Sequence, residues 1–379
     1  MKPATEIERV LIYRLGSLGD TLLALPALHL IRERLPRAEI TMLTHLPGLA
    51  KAPSMVSVLE HTNLFQRVIH YPLQLRSLRG ARELRAKVSA GRFQIAIHLA
   101  ESRGRLKSLR DLWFFRSCGI RRVFGVPWRH DDLVCQEVAG SYEWEAQRLA
   151  RRVAALGAPD LKEDRWWDLC LTRAELAEAD RLLAGIPQPF IAAGLGAKVE
   201  AKDWTEPNWT LLLREMSRRW PETGLVLLGS ADEHGRSERC SRTWRTPYLN
   251  LCGKTTPRVS AAALKRAGLF IGHDSGPMHL AATVGTPCVA IFSARSFPGQ
   301  WFPRGRRNTI LYRKTDCFGC GLQVCVEQKS KCLRSITVAE VLTALDRYLP
   351  LSAGTPVGRC VPIAVHETPD HNRPSLLPS

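Results

Sequence analysis

The segment 8–35 constrains the fold more than any other. ERVLIYRL (8–15) is a buried-strand pattern that turns through Gly16-Ser17-Leu18-Gly19-Asp20 straight into a helical one. In that helix Leu22, Leu25, Leu28, Ile31 and Leu35 recur at three- to four-residue spacing, and Pro26 predicts a kink within it. A strand that enters a helix through a glycine turn is half of a β-α-β unit. The pattern recurs: strands are expected at 40–44, 68–71 and 93–99, with a basic helix over 76–89. After a Pro-, Gly- and charge-rich connection at 157–175, a second series has strands at 190–196, 224–230, 248–253, 269–276 and 288–293. Helices are expected there at 207–220, 258–267 and 337–349. Strands alternating with helices imply an α/β fold of mostly parallel, doubly wound sheets. The 379 residues suit two such domains better than one. From 351 onward the chain is proline-rich and aperiodic, which predicts a disordered tail.

Composition narrows the class. Hydrophobic residues make up 45% and charged residues 24%, as in a soluble globular protein. No apolar run is long enough to cross a bilayer, and the N-terminus has no apolar signal region, so a cytoplasmic location is expected. The net charge of +18 serves either solubility, as solvated helix faces, or an anionic partner: nucleic acid, a phosphate-rich ligand or a membrane surface. The basic clusters fall early, at Arg76, Arg79, Arg82, Arg85 and Lys87, at Arg103, Arg105 and Lys107, and at Arg121, Arg122 and Arg129. No nucleic-acid recognition motif accompanies them, so a phosphorylated ligand or an anionic membrane surface fits better than nucleic acid.

Three segments carry the chemistry. Asp20 ends the first glycine turn, where it can cap the helix or serve as a general base at the carboxyl end of a strand. The turn is not G-x-G-x-x-G, which argues against a nicotinamide-dependent dehydrogenase. In GHDSGPMHLAATVGTPCVAIF, Asp274, Ser275 and Gly276 open a helix whose amides suit a diphosphate, and His279 either faces the cleft or packs. In GLGAKVEAKDW, Lys198 and Lys202 can neutralise a departing diphosphate. The chain has no Asp-x-Asp, which favours a metal-independent transfer and no cofactor. Eleven cysteines without an export signal do not indicate a disulfide framework. Cys317, Cys320, Cys325 and Cys332 have a spacing that a zinc site can use, but it is irregular, and buried free thiols explain it better.

Together these segments resemble glycosyltransferase family nine, the ADP-heptose:lipopolysaccharide heptosyltransferases. RLGSLGDTLLALPALHLIRERLP is similar to that family's N-terminal signature and GHDSGPMHLAATVGTPCVAIF to its donor motif. LNLCGKTT and the cysteine cluster fit as well, so the resemblance spans about 8–348. It implies a GT-B fold, two Rossmann-like domains facing a central cleft. An acceptor domain would cover 1–170 and a donor domain 171–350, with the tail at 351–379. It also implies inverting transfer of a heptose from ADP-heptose to a lipopolysaccharide inner-core acceptor, at the inner face of the membrane. Asp20 then matches the catalytic base and Lys202 the lysine on the donor phosphates. Lys198, Asp274, Ser275, Gly276 and His279 fall at the donor, with Asp232 or Glu233 near the ribose. Gly19, Arg76, Arg79, Arg105 and Lys107 fall on the acceptor side. Two positions depart from the family pattern: Lys198 replaces a small hydroxyl or aromatic residue and His98 an acidic one. Another nucleotide sugar or acceptor, and a catalytically idle nucleotide- or lipid-binding module, are the alternatives.

Overall fold

The computed structural model describes residues 7–45, 54–72, 77–101, 103–133, 135–138 and 141–349. Strands β1 (Arg9–Tyr13), β2 (Glu39–His45), β3 (Arg67–Tyr71), β4 (Ile95–His98) and β5 (Arg122–Phe124) form a parallel sheet in the order β3-β2-β1-β4-β5. A short antiparallel hairpin, β6 (Glu137–Val138) and β7 (Ser141–Tyr142), follows. Strands β8 (Phe190–Gly194), β9 (Gly224–Leu227), β10 (Tyr248–Asn250), β11 (Leu269–His273), β12 (Cys288–Phe292) and β13 (Thr309–Tyr312) form a second parallel sheet, ordered β10-β9-β8-β11-β12-β13. The two orders are the same up to the extra edge strand. Each sheet grows outward from its first strand and then reverses, so each has one switch point, between β1 and β4 and between β8 and β11. Strands β8, β11 and β12 are buried at every position, as parallel strands covered on both faces must be.

Helices α1 (Leu18–Leu23), α2 (Leu25–Arg34), α3 (Met55–Leu59), α4 (Leu78–Ala90), α5 (Arg105–Ser117), α6 (His130–Leu133) and α7 (Glu145–Arg152) accompany the first sheet. Helices α8 (Arg173–Leu182), α9 (Glu206–Arg219), α10 (His234–Ser241), α11 (Pro257–Arg266), α12 (Gly276–Thr283), α13 (Lys331–Arg334) and α14 (Val338–Leu345) accompany the second. The kink expected at Pro26 is a break at Ala24, with the proline in the first turn of α2, where its missing N–H costs nothing. Short β5 and β13 and helix α5 were not foreseen. The three residues of β5 carry no clear alternation, and the apolar side chains of α5 point both inward and outward.

The two-residue period of β1 sends Val10 and Ile12 to one face of the first sheet and Leu11 and Tyr13 to the other. Val10 and Ile12 join Leu22, Leu25, Leu28 and Ile31 in a core that runs on without a break into Phe270 and Met278 of the second half. Leu11 and Tyr13 pack with Leu84 and Val88 of α4 and Phe115 of α5. Arg258 in α11 ties the halves together. Its buried guanidinium donates to the carbonyls of Val58, Leu169 and Cys170 and pairs with Glu175 at 2.6 Å. The tail from 351 onward and Arg76 lie outside the described residues.

Candidate active site

Ligands of open α/β sheets bind beyond the carboxyl ends of the strands, at the switch point. Here the residues after β1 and β4 are Asp20 and Glu101, and those after β8 and β11 are Lys198, Lys202 and Asp274. The two switch points meet through helices α1 and α12. A Cβ added at Gly19 would stand 2.7 Å from His279 Cδ2, and one added at Gly276 would stand 2.7 Å from Leu18 Cδ2. Each glycine therefore admits the facing helix. On the Cβ side of both glycines the space is filled by protein. His279 is buried in that contact, in line with packing, with its Nε2 3.6 Å from Asp274 Oδ1.

Asp20 is neither N-cap nor free. Ser17 is the N-cap of α1, and Asp20 reaches back from the third helical position to close a capping box. Its Oδ2 accepts the Ser17 N–H and the Ser17 hydroxyl, both at 2.7 Å. Gly16, at φ +138°, permits this, because a Cβ there would lie 2.3 Å from Asp20 Cβ. Behind it lies Arg14, only 1% exposed, which donates to the Asp20 carbonyl and the Leu99 carbonyl at 2.6 Å each. Arg14 also lies 3.8 Å from Glu145, which Arg148 grips in a bidentate pair at 2.6 Å. The other carboxylate oxygen of Asp20, Oδ1, stands 3.9 Å from Arg14 Nη2, and the Asp20 side chain keeps 27% exposure. Burial, with the neighbouring Asp20 and Glu145, pushes the Glu101 carboxyl above the usual range. His98, where the family pattern has an acidic residue, points to the opposite face of the sheet. It is 2% exposed, donates to Asp111 at 3.2 Å and stacks edge-on against Tyr13, while burial lowers its proton affinity.

On the other side Lys202 ends a single 3-10 turn, and its Nζ donates to Asp274 Oδ2 at 2.6 Å. Burial works to raise the Asp274 carboxyl, but Lys202 and His279 outweigh it and hold the group well below the ordinary carboxylate range. Asp274 sits one residue beyond β11 rather than in the helix. Ser275 is the N-cap of α12, and its buried hydroxyl has no partner. Lys198 is exposed, close enough to His45 at the end of β2 that its charge adds to burial in lowering that imidazole's proton affinity. Of the two ribose candidates, Asp232 is exposed. Glu233 lies across the ends of β8 and β9, where a Cβ on Gly196 or Gly229 would come within 2.1 Å of its carboxyl group. Arg79, Arg105 and Lys107 are exposed in the first turns of α4 and α5, and Arg79 pairs with Glu83 at 3.0 Å.

Sequence reasoning missed His273. It is fully buried at the end of β11, where Nδ1 donates to the Gly196 carbonyl at 3.0 Å and Nε2 accepts the Trp204 amide at 2.9 Å. It thereby fixes the β8 turn and the lysine segment against Asp274. Burial lowers its pKa to about 4. Its folded pKa lies below the unfolded value near 6.5, so its stabilising contribution is complete above pH 6.5 and drains away as pH falls toward 4. We expect an acid-side loss on the order of 3 kcal/mol from this group. A urea titration at stepped pH checks it: the slope between pH 6.5 and 4 should flatten in His273→Gln.

The four clustered cysteines line one small cavity with Ala201, Ser293 and Gln328. Cys325 accepts the Ser330 amide, and Cys317 and Cys332 contact the Thr315 and Ser293 hydroxyls. Among the described residues no three His, Cys, Asp or Glu side chains are arranged to hold a metal ion. The loop braces the lysine segment, because the Ala201 amide donates to the Gln323 carbonyl at 3.0 Å.

Residues 82–331 match the sequence profile of Glycosyltransferase family 9 (heptosyltransferase). The chain belongs to glycosyltransferase family 9. It is thus a glycosyl-transferring enzyme of the heptosyltransferase family, and its two sheets form a GT-B fold. It is similar to Lipopolysaccharide heptosyltransferase 3 of Escherichia coli, 23% identical over 346 residues that cover 88% of this chain and 96% of that one. A family 9 glycosyl transferase from Veillonella parvula has the same fold, with a TM-score of 0.67 at 20% identity over 89% of this chain and 96% of that one. An E. coli heptosyltransferase solved with ADP-2-deoxy-2-fluoro heptose aligns with a TM-score of 0.56 at 16% identity, over 89% of this chain and 99% of that one.

Proposed function

We propose that this chain transfers a heptose from ADP-heptose to the inner core of lipopolysaccharide, with inversion at the anomeric carbon. The observation that carries it is the convergence of two switch points, one offering carboxylates at Asp20 and Glu101, the other cations at Lys198 and Lys202. Asp20 takes the proton of the acceptor hydroxyl as that oxygen attacks the anomeric carbon. The bond to the diphosphate breaks on the opposite face. Lys202, Lys198 and the amide end of α12 meet the charge that develops on the leaving oxygen. Asp274 orients Lys202, the Ser275 hydroxyl turns to the donor, and Glu233 suits the ribose better than Asp232 does.

In this account the acceptor binds residues 1–170 and the donor residues 171–350. Arg79, Arg105 and Lys107 stand at helix N-termini, where a cation opposes the helix dipole. A phosphorylated acceptor accounts for such placements. Lipopolysaccharide core is lipid-linked, so the enzyme works at the inner face of the membrane. No helix among the described residues is long and apolar enough to cross it.

The donor assignment is tested by thermal shift. At a hundredfold excess over Kd a ligand of the folded state adds about 2.7 kcal/mol of stability. ADP-heptose and ADP should raise the melting temperature and UDP-sugars should not. An equal or greater response to UDP-sugars would place the chain with another donor.

A further inference from the structure

Helix α5 is built inside out. Its inward face buries Ser108 and Asp111 beside Phe115, with Asp111 held by His98, Arg103 and Arg110. Its outward face carries Leu106, Leu109 and Trp113, at 85%, 39% and 63% exposure. Their spacing of three and four residues lines them up in one stripe opposite the core. The stripe is bracketed by the exposed cations Arg110 on one side and Arg116 on the other. Leu78, the first residue of α4, is 80% exposed, and α4 packs on the same face of the sheet as α5. Both helices begin at the carboxyl edge, where the acceptor side of the cleft opens. The rest of the exposed surface of α4 is rich in cations: Arg82, Arg85 and Lys87.

We infer that α5 docks this chain on an anionic lipid surface, lying in the interfacial plane with Leu106, Leu109 and Trp113 inserted and the flanking arginines on the headgroups. This rests on the reading that the acceptor is lipid-linked. An outward apolar stripe on a surface helix calls for a cover, and a cationic rim selects an anionic one. Thirteen residues make a helix about 20 Å long, too short to span a bilayer and suited to lie along it. The docked edge then presents Arg79, Arg105 and Lys107 toward phosphorylated sugars projecting from the same surface.

The test is flotation of the full chain with vesicles of phosphatidylcholine alone and of phosphatidylcholine mixed with phosphatidylglycerol. Wild type should float with the mixed vesicles and lose that binding in high salt. Leu106→Ser combined with Trp113→Ser should lower vesicle binding about tenfold or more, since both side chains lose their apolar burial. The double variant should keep the wild-type melting temperature and wild-type turnover on a deacylated, water-soluble acceptor, because neither side chain belongs to the cleft. Undiminished flotation of the double variant, or no flotation of wild type, overturns the inference. So does a wild-type dimer that the double variant converts to monomer in ultracentrifugation, because the stripe would then be a subunit contact. If the chain floats as expected but transfers sugar to no acceptor, the docking stands and the proposed transfer falls.

Discussion

Asp20→Asn is expected to leave the protein folded and able to bind donor while lowering transfer by ~10²–10⁴-fold. The asparagine carbonyl can still accept the Ser17 amide, so the capping box, worth about 1 kcal/mol, is largely kept. The Arg14 bond to the Asp20 carbonyl does not involve the side chain and survives. What is lost is the capacity to take a proton. Turnover and melting temperature measured on one preparation separate the two roles. An asparagine variant with unchanged melting temperature and at least half of wild-type turnover would make Asp20 a capping residue only. Glu101 would then be the remaining carboxylate at that switch point, since His98 is locked to Asp111 on the other face.

Lys202→Met is expected to cost ~10²–10³ in turnover, the usual effect of removing one preorganised charge from a developing anion. It also strips the buried Asp274 of its partner, which typically costs ~3–5 kcal/mol of stability. The single variant therefore confounds catalysis with folding. Combining Lys202→Met with Asp274→Asn removes the unpaired charge and should recover most of the melting temperature with no recovery of activity. A double variant that regained stability and wild-type turnover together would reduce the pair to a structural ion pair.

The position of Asp20, Lys202 and Asp274 at the carboxyl edges was legible in the sequence, because each follows a buried strand within eight residues and chain order alone carries it there. The glycines were visible, but what lies beside them was not. Gly19 and Gly276 face side chains from the opposite half, and no local pattern announces that His279 will lie on Gly19. Arg14, Glu145 and Arg148 escaped notice for the same reason: each is an ordinary charged residue until the fold buries it beside partners far away in the chain. His273 looked like one more strand residue, and only the two tryptophan N–H groups beside its ring explain why a histidine stands there. Helix α5 was missed because its apolar residues point both ways, which blurs the period that marks a surface helix.

Purified chain should be incubated with ADP-heptose and a phosphorylated inner-core acceptor, and the acceptor followed by mass spectrometry. The account predicts a gain of one heptose residue, matched by release of ADP and absent with Asp20→Asn. Acceptor that stays unmodified with ADP-heptose, yet is modified with a different nucleotide sugar, would contradict it.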